Sequence, residues 1–388
     1  MNIVFLEAVQ THGGARKSTV ELAKRLQNNH HDVLIIDFWG NCMEFVNDVS
    51  DNNIRLEILN PRGKAIIIKE SKNNWSNAIN FFSFLKEWLI LRKKVSKILR
   101  DFNAEIIISN NIKTNSILKK SSKYKIIYFA RGWFAYNSLS WITKIFFKYN
   151  SDYFICVSQS TRQAIYSGGL AKLENIYVVP NAIDLDIVCK YQRHHPLSEI
   201  KTKFKILHCG GFLPSKGQDI SIEIAKKLLL KNIDFELILM GVVYDSYISH
   251  YFLNEIRDKI KTYNLGNNVK IVLNSKEPYK YFNETDVLIH PSATEGLPRV
   301  IMEAMAFKKP IIANPVGGVT DFILHNFTGF ITNYNNVDDY IKYLLQLYNN
   351  KHLYNNITRN AYNLIKSNYL PNNQIEQFEE VLSKIFIN

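Results

Sequence analysis

Short apolar runs, separated by stretches of helical spacing, occur in two successive sets along this chain. Ile3–Leu6, Val33–Asp37, Ile106–Ser109, Ile126–Phe129 and Tyr153–Val157 form the first set. Phe204–His208, Phe235–Met240, Val269–Leu273, Val287–His290 and Pro310–Ala313 form the second. Runs this short and this continuously apolar are expected as strands of parallel sheets covered on both faces. Thr19–Gln27, Ala78–Leu99, Ser221–Leu230, Ile248–Tyr263 and Arg299–Phe307 supply helical spacing between them. A βαβ rhythm that stops and restarts predicts an α/β protein of two Rossmann-like, doubly wound domains facing across a cleft. The polar, Pro-containing stretch Asp184–Lys203 is the expected boundary. Residues 1–186 then make the first domain and 187–371 the second. An amphipathic helix at Asn372–Phe386 begins a final segment, 372–388, expected to pack back on the first domain.

The length, 388 residues, suits two domains. Four scattered cysteines, Cys42, Cys156, Cys189 and Cys209, show no metal-ligand spacing and fit a reducing compartment. The first residues lack a basic stretch and a long apolar run, so a short strand is expected there and no signal peptide. No segment is long and apolar enough for a membrane span. The 48 Lys and Arg exceed the 35 Asp and Glu by 13, and residues 1–186 hold 25 against 16, an excess of 9. A basic half suggests an anionic partner, whether nucleic acid, a membrane surface or a phosphorylated substrate, and charge does not choose among them. A composition rich in Lys, Asn and Ile also fits an AT-rich genome.

The segment Pro291-Ser292-Ala293-Thr294-Glu295-Gly296-Leu297-Pro298-Arg299 follows a strand and leads into a helix that carries Glu303. Pro298 stands at the helix start, where a missing N–H costs little. The loop therefore delivers backbone N–H groups and a carboxylate to the C-terminal edge of a sheet, the edge at which doubly wound folds bind ligands. A carboxylate accepts well from two adjacent sugar hydroxyls. Taken singly, Glu303 reads as a solvated helix residue and Glu295 as a partner of the helix dipole.

Taken together with Glu303-Ala304-Met305-Ala306, Pro310–Ala313 and Gly317-Gly318, the segment closely resembles glycosyltransferase family 4, whose signature of two glutamates eight apart is present as Glu295 and Glu303. The resemblance implies the GT-B architecture, a nucleoside diphosphate sugar as donor, transfer with retention at the anomeric carbon, and no metal or organic cofactor. It assigns Glu295, Gly296, Leu297 and Pro298 to the donor sugar and Glu303 to the ribose. Gly210-Gly211-Phe212-Leu213-Pro214-Ser215-Lys216-Gly217 resembles the family's diphosphate loop. Lys216 matches the family's Lys, placed to neutralise charge on the leaving diphosphate, whereas Gly211 occupies the position of the family's Arg. Val157–Arg162 and Val178–Asp184 resemble the segments that close the first domain. Asp184-Leu185-Asp186 has the form of a metal-binding pair but falls in the crossover, where no metal is expected.

In the first half, Thr11-His12-Gly13-Gly14-Ala15-Arg16-Lys17-Ser18-Thr19 looks like an ATPase phosphate loop. Thr11 and Arg16 stand where that loop needs glycine, which disfavours it. The stretch also resembles the family's opening Gly-Gly loop, which implies that Gly13 and Gly14 approach the donor. Arg16 and Lys17 are expected to face an anionic acceptor or the diphosphate, or else simply to decorate a helix start. Many family members carry a His after a middle strand of the first domain; here the nearest polar residue is Arg131. It cannot act as a base at neutral pH, so it is expected to hold an acceptor phosphate or stabilise leaving-group charge.

Phe81–Arg100 interleaves Phe81, Phe82, Leu85, Trp88, Leu89, Val95 and Leu99 with six cations. It reads either as a helix lying on an anionic leaflet, with Trp141–Lys148 adding to it, or as a core helix with a basic outer side. The expected protein is a cytoplasmic hexosyltransferase of surface polysaccharide, lipopolysaccharide or glycoconjugate synthesis, peripheral on the plasma membrane's inner face under the first of these readings. Its expected partners are a nucleotide-sugar donor, commonly a UDP-sugar, and a glycan or lipid-linked acceptor, with no nucleic acid. A sugar-nucleotide epimerase, a phosphate-loop ATPase and a non-catalytic carbohydrate-binding protein are the alternatives.

Overall fold

A computed structural model describes residues 1–8, 13–60, 74–134, 139–194 and 203–387. Thr11, His12 and the stretch 195–202 lie outside the described residues, as do the side chains of Phe81 and Phe82. The chain divides into two compact units. The first comprises Met1–Val157, Thr161–Val179 and Ile375–Asn388; the second comprises Ser158–Ser160 and Pro180–Gln374.

The first unit is built on a seven-stranded parallel sheet: β1 (Asn2–Glu7), β2 (Asp32–Asp37), β3 (Arg55–Ile58), β4 (Ile106–Ser109), β5 (Lys125–Ala130), β6 (Tyr153–Cys156) and β7 (Ile176–Val178). The spatial order is β3-β2-β1-β4-β5-β6-β7. Ile3 pairs with both Val33 and Ile106, which fixes the register at the centre. Helices cover both faces, which is why Ile3, Val4, Phe5 and Leu6 are all buried despite pointing alternately up and down. In the Asn74–Asp101 helix, Leu91, Val95 and Leu99 pack on Val4, Leu34 and Ile107. That half of the helix is therefore core-facing with a solvated basic side, the second of the two readings above. Edge strands β3 and β7 are short and only partly buried, so they lack the apolar run that marks the central strands.

The second unit carries a six-stranded parallel sheet: β8 (Phe204–Cys209), β9 (Phe235–Gly241), β10 (Val269–Leu273), β11 (Val287–His290), β12 (Ile311–Ala313) and β13 (Phe330–Ile331). Its order is β10-β9-β8-β11-β12-β13. In each sheet the first strand lies in the middle and the chain reverses its direction of travel beside it, between β1 and β4 and between β8 and β11. Such a reversal opens a crevice at the C-terminal ends of the two central strands. Both units are thus Rossmann-like, as the repeated βαβ rhythm predicts.

The abundant asparagine has a structural use. Asn53, Asn103, Asn232 and Asn264 follow the Met43–Asp51, Asn74–Asp101, Gln218–Leu230 and Tyr247–Thr262 helices and take φ of 52° to 55°. This is the left-handed helix stop that glycine more often supplies. Among the described residues no helix is long and apolar enough to cross a membrane.

Candidate functional site

In the second unit, β8 ends at Cys209 and the chain turns through Gly210 and Gly211 into a short 3-10 turn, Pro214–Lys216. Gly217 then starts the Gln218–Leu230 helix with φ +76°, and a Cβ there would sit 2.3 Å from the Pro291 carbonyl oxygen. Only glycine meets both conditions. That approach brings the loop after β8 onto the loop after β11, and Ala293 N–H donates to Ser215 O at 2.8 Å. Lys216 Nζ then reaches Glu295 Oε1 at 2.7 Å. The two residues meet at the switch point between β8 and β11.

A third loop holds Glu295 from behind. Gly317 has φ +50°, and a Cβ on it would lie 1.7 Å from the Glu295 carbonyl oxygen. Gly318 N–H donates to Gly296 O at 2.9 Å. The buried Asn314 amide donates to Ser292 O at 3.2 Å and to Asn335 Oδ1 at 2.8 Å. The glycine pair after β12 is therefore a packing requirement of the Glu295 loop. Leu297 is buried and Pro298 caps the Arg299–Ala306 helix.

The spacing pattern did not reveal His290. This last residue of β11 is buried, and its Nε2 lies 3.0 Å from the same Glu295 oxygen that Lys216 holds. A histidine ending a buried apolar strand five residues before the glutamate was the available signal. Burial alone would raise the Glu295 carboxyl. The His290 hydrogen bond and charge, with the Lys216 ammonium, outweigh burial and bring its pKa down to about 2. Neighbouring His208, in β8, bonds through Nδ1 to Ser221 Oγ at 2.7 Å. Burial chiefly, with His290 and Lys216 adding, pushes it down to about 3, so it is neutral at neutral pH. Glu303 is half-buried in the first turns of its helix. With burial the larger cause, it helps raise the Cys209 thiol at the end of β8, which sets it by the same sheet edge.

Gly211 has a physical reason here. A Cβ on it would meet the Tyr244 ring at 2.6 Å, so the loop after β9 fills the space that a longer residue at 211 would use. Gly210 and Gly211 both accept from the Gln218 side-chain amide, at 3.1 and 3.0 Å.

In the first unit, Arg16 does not face outward. It is 1% exposed. Its Nη2 bonds to Asp37 Oδ1 at 2.8 Å, its Nε lies 3.7 Å from Glu7 Oε2, and its guanidinium stands 4.0 Å from the Phe45 ring centre. β1 and β2 each end in a buried acid, and Arg16 supplies their countercharge. Burial raises both carboxyls, and Arg16 opposes the shift. Glu7 also accepts from Thr19 Oγ1 at 2.9 Å and from the Asn110 amide. Arg16 is thus a core residue, and the acceptor-facing role expected for it has no surface to act from. Lys17 and Gly14 remain exposed, and among the described residues no neighbour fills the space beside Gly13. Arg131, just after β5, lies over the Phe129 ring at 4.3 Å and within electrostatic reach of Glu7. Among the described residues no group of three or more His, Cys, Asp or Glu is gathered as a metal site.

Residues 192–364 match the family model for glycosyl transferases group 1, and residues 12–187 match that for glycosyltransferase family 4. Both halves of the chain thus match glycosyltransferase models. An uncharacterized glycosyltransferase of Methanocaldococcus jannaschii is 29% identical over 227 residues, 56% of each chain. Poly(ribitol-phosphate) alpha-N-acetylglucosaminyltransferase of Staphylococcus aureus is 26% identical over 181 residues, 46% of this chain and 33% of that protein. The chain thus spans about half or less of the length of these curated relatives. Anabaena HepE in complex with UDP-glucose matches the fold with a TM-score of 0.79 and 18% identity, over 99% of each chain. This glycosyltransferase-family chain therefore has the GT-B fold, each sheet supplying one of its two Rossmann-like halves.

Proposed function

We propose that the protein transfers a hexose-type sugar from a nucleoside diphosphate sugar, commonly a UDP-sugar, to a glycan or lipid-linked acceptor of cell-surface polysaccharide, lipopolysaccharide or glycoconjugate synthesis. The observation that carries this reading is the Lys216–Glu295 pair at the β8/β11 switch point, with Glu303 on the same edge. The second unit takes the donor. Glu295, ionised because Lys216 and His290 hold it so, accepts from sugar hydroxyls, and Glu303 accepts from the ribose. Lys216 exchanges part of its contact with Glu295 for the diphosphate and offsets the charge that grows as the anomeric C–O bond breaks. The acceptor hydroxyl attacks from the face that the diphosphate leaves, and its proton passes to a donor phosphate oxygen. That route gives retention without a protein base, and holding both substrates together supplies much of the acceleration. No step calls for a metal or organic cofactor. The first unit takes the acceptor, with Lys17 and Arg131 as its candidate cations.

The test is UDP titration and product analysis with the parent protein and Glu303→Ala. The reading expects UDP binding by the parent, at least about tenfold weaker in the variant for the loss of one charge-assisted contact, and a glycoside plus free nucleoside diphosphate as products. Unchanged binding in Glu303→Ala overturns the site assignment. An epimerised nucleotide sugar without glycoside overturns the transfer reaction.

A further inference from the structure

The Trp141–Asn150 helix of the first unit is turned the wrong way for a protein that meets only water. Its single buried side chain is Phe147, which packs on Tyr128 and Phe154 with ring centres 4.4 and 6.4 Å away. Asn150 ties the helix end to the carbonyl of Asn115 at 3.0 Å. On the opposite side stand Trp141 at 71% exposure, Tyr149 at 66%, Ile142 at 49% and Ile145 at 42%. Residues 141, 145 and 149 succeed one another at one helical turn, and 142 lies beside them, so they form one continuous stripe. Lys144 and Lys148 flank that stripe, and the helix holds no acid.

Two further observations say what covers it. Residues 106–151 contain eight Lys and Arg and not one Asp or Glu, the longest stretch of the chain without an acid. The short Ile112–Ser116 helix is bonded to the 141–150 helix through Asn150 and to the 74–101 helix through Trp88 Nε1 and Ser116 Oγ at 3.2 Å. On the 74–101 helix, Leu85 and Leu89 are exposed beside the exposed Lys86 and Lys93. Two neighbouring helices thus present the same chemistry, an apolar stripe with basic flanks.

We propose that this face, centred on Trp141, Ile145 and Tyr149, docks the protein on an anionic lipid surface. Trp and Tyr settle at the headgroup level, the isoleucines enter the acyl boundary, and the lysines meet lipid phosphates. A soluble polyanion would use the lysines and leave the apolar stripe without a purpose. Relative to the sequence-based expectation, the docking element moves from the Phe81–Arg100 stretch, whose Val95 and Leu99 are core, to the 141–150 helix. The inference is independent of the donor reading, since it uses none of the second unit's residues.

The test is co-sedimentation of the full chain with phosphatidylcholine vesicles, with and without phosphatidylglycerol. The parent is expected to bind only when phosphatidylglycerol is present. Trp141→Ser/Ile145→Ser should weaken that binding at least about tenfold through lost interfacial apolar area. Lys144→Gln/Lys148→Gln should weaken it about 25-fold, at about fivefold for each cation near the surface. Trp141, Ile145 and Lys148 are exposed and Lys144 is half-buried, so melting temperature should stay within a few degrees of the parent and UDP titration should match it. Parent protein that ignores phosphatidylglycerol overturns the proposal. So does loss of binding in the lysine variant alone, which would mark a purely electrostatic polyanion site. A parent dimer that the Trp141/Ile145 variant converts to monomer, with vesicle binding unchanged, would assign the face to a second copy and overturn it as well.

Discussion

Replacing Lys216 by methionine removes one cation and keeps the stem length. Holding the Glu295 carboxyl at about 2 instead of its ordinary 4.5 stabilises the fold by about 3 kcal/mol at neutral pH. His290 is the larger of the two causes that lower it, so the share of Lys216 is about 1 kcal/mol. For a unit of this size, a loss of that order lowers the melting temperature by about 2–4 °C. The pH dependence has a definite sign. A depressed carboxyl contributes stability that is present above pH 4.5 and disappears as pH falls toward 2, because Glu295 is then protonated in folded and unfolded chains alike. The difference in melting temperature between parent and Lys216→Met should therefore be constant from pH 7 to about 5 and shrink steadily below 4.5. Turnover should suffer far more than stability, by about a hundred- to a thousandfold, as for loss of one preorganised group at a developing charge. Melting curves across pH and a donor-consumption assay measure both. A variant as stable as the parent at pH 7, or a difference that grows on acidification, refutes the ion-pair reasoning. A turnover within a few-fold of the parent refutes the role of Lys216 in leaving-group departure.

Arg16→Met strands Glu7 and Asp37 as buried acids without their countercharge and should cost about 3–5 kcal/mol, read as a large drop in melting temperature with UDP affinity unchanged. Normal stability with a raised KM for the acceptor would restore the outward-facing role. Gly211→Arg alone should lower the melting temperature by driving into Tyr244; combined with Tyr244→Ala it should recover stability and raise turnover by supplying a second cation. A stable, unimproved double variant would mean that the diphosphate is already neutralised elsewhere.

The central strands were legible because parallel strands buried on both faces must be apolar along their whole length, and Ile3–Leu6 and Val287–Ile289 are. The edges were not: β13 is only two residues long, and β3 reads Arg-Leu-Glu-Ile, a pattern that many loops share. At the candidate site, Glu295, Glu303 and Lys216 were singled out by the family resemblance, but what holds them could not be read from the sequence. The contacts of Gly217 with Pro291, of Gly317 with Glu295 and of Tyr244 with Gly211 join loops far apart in sequence, so no local pattern encodes them.

Arg16 is the more instructive case, because its signal was present but lay elsewhere. In isolation it is one cation in a helix's first turn beside Lys17, and nothing local separates the two. The information was in β1 and β2, which run apolar to their ends and then stop on Glu7 and Asp37, both fully buried. Two interior carboxylates cannot stay ionised without a cation, and among the residues between those strands Arg16 has the reach and the five donors to serve both. Lys17, one position on, faces a different side of the helix and stays in solvent. Of two adjacent cations in one motif, burial thus makes one part of the scaffold and leaves the other in solvent.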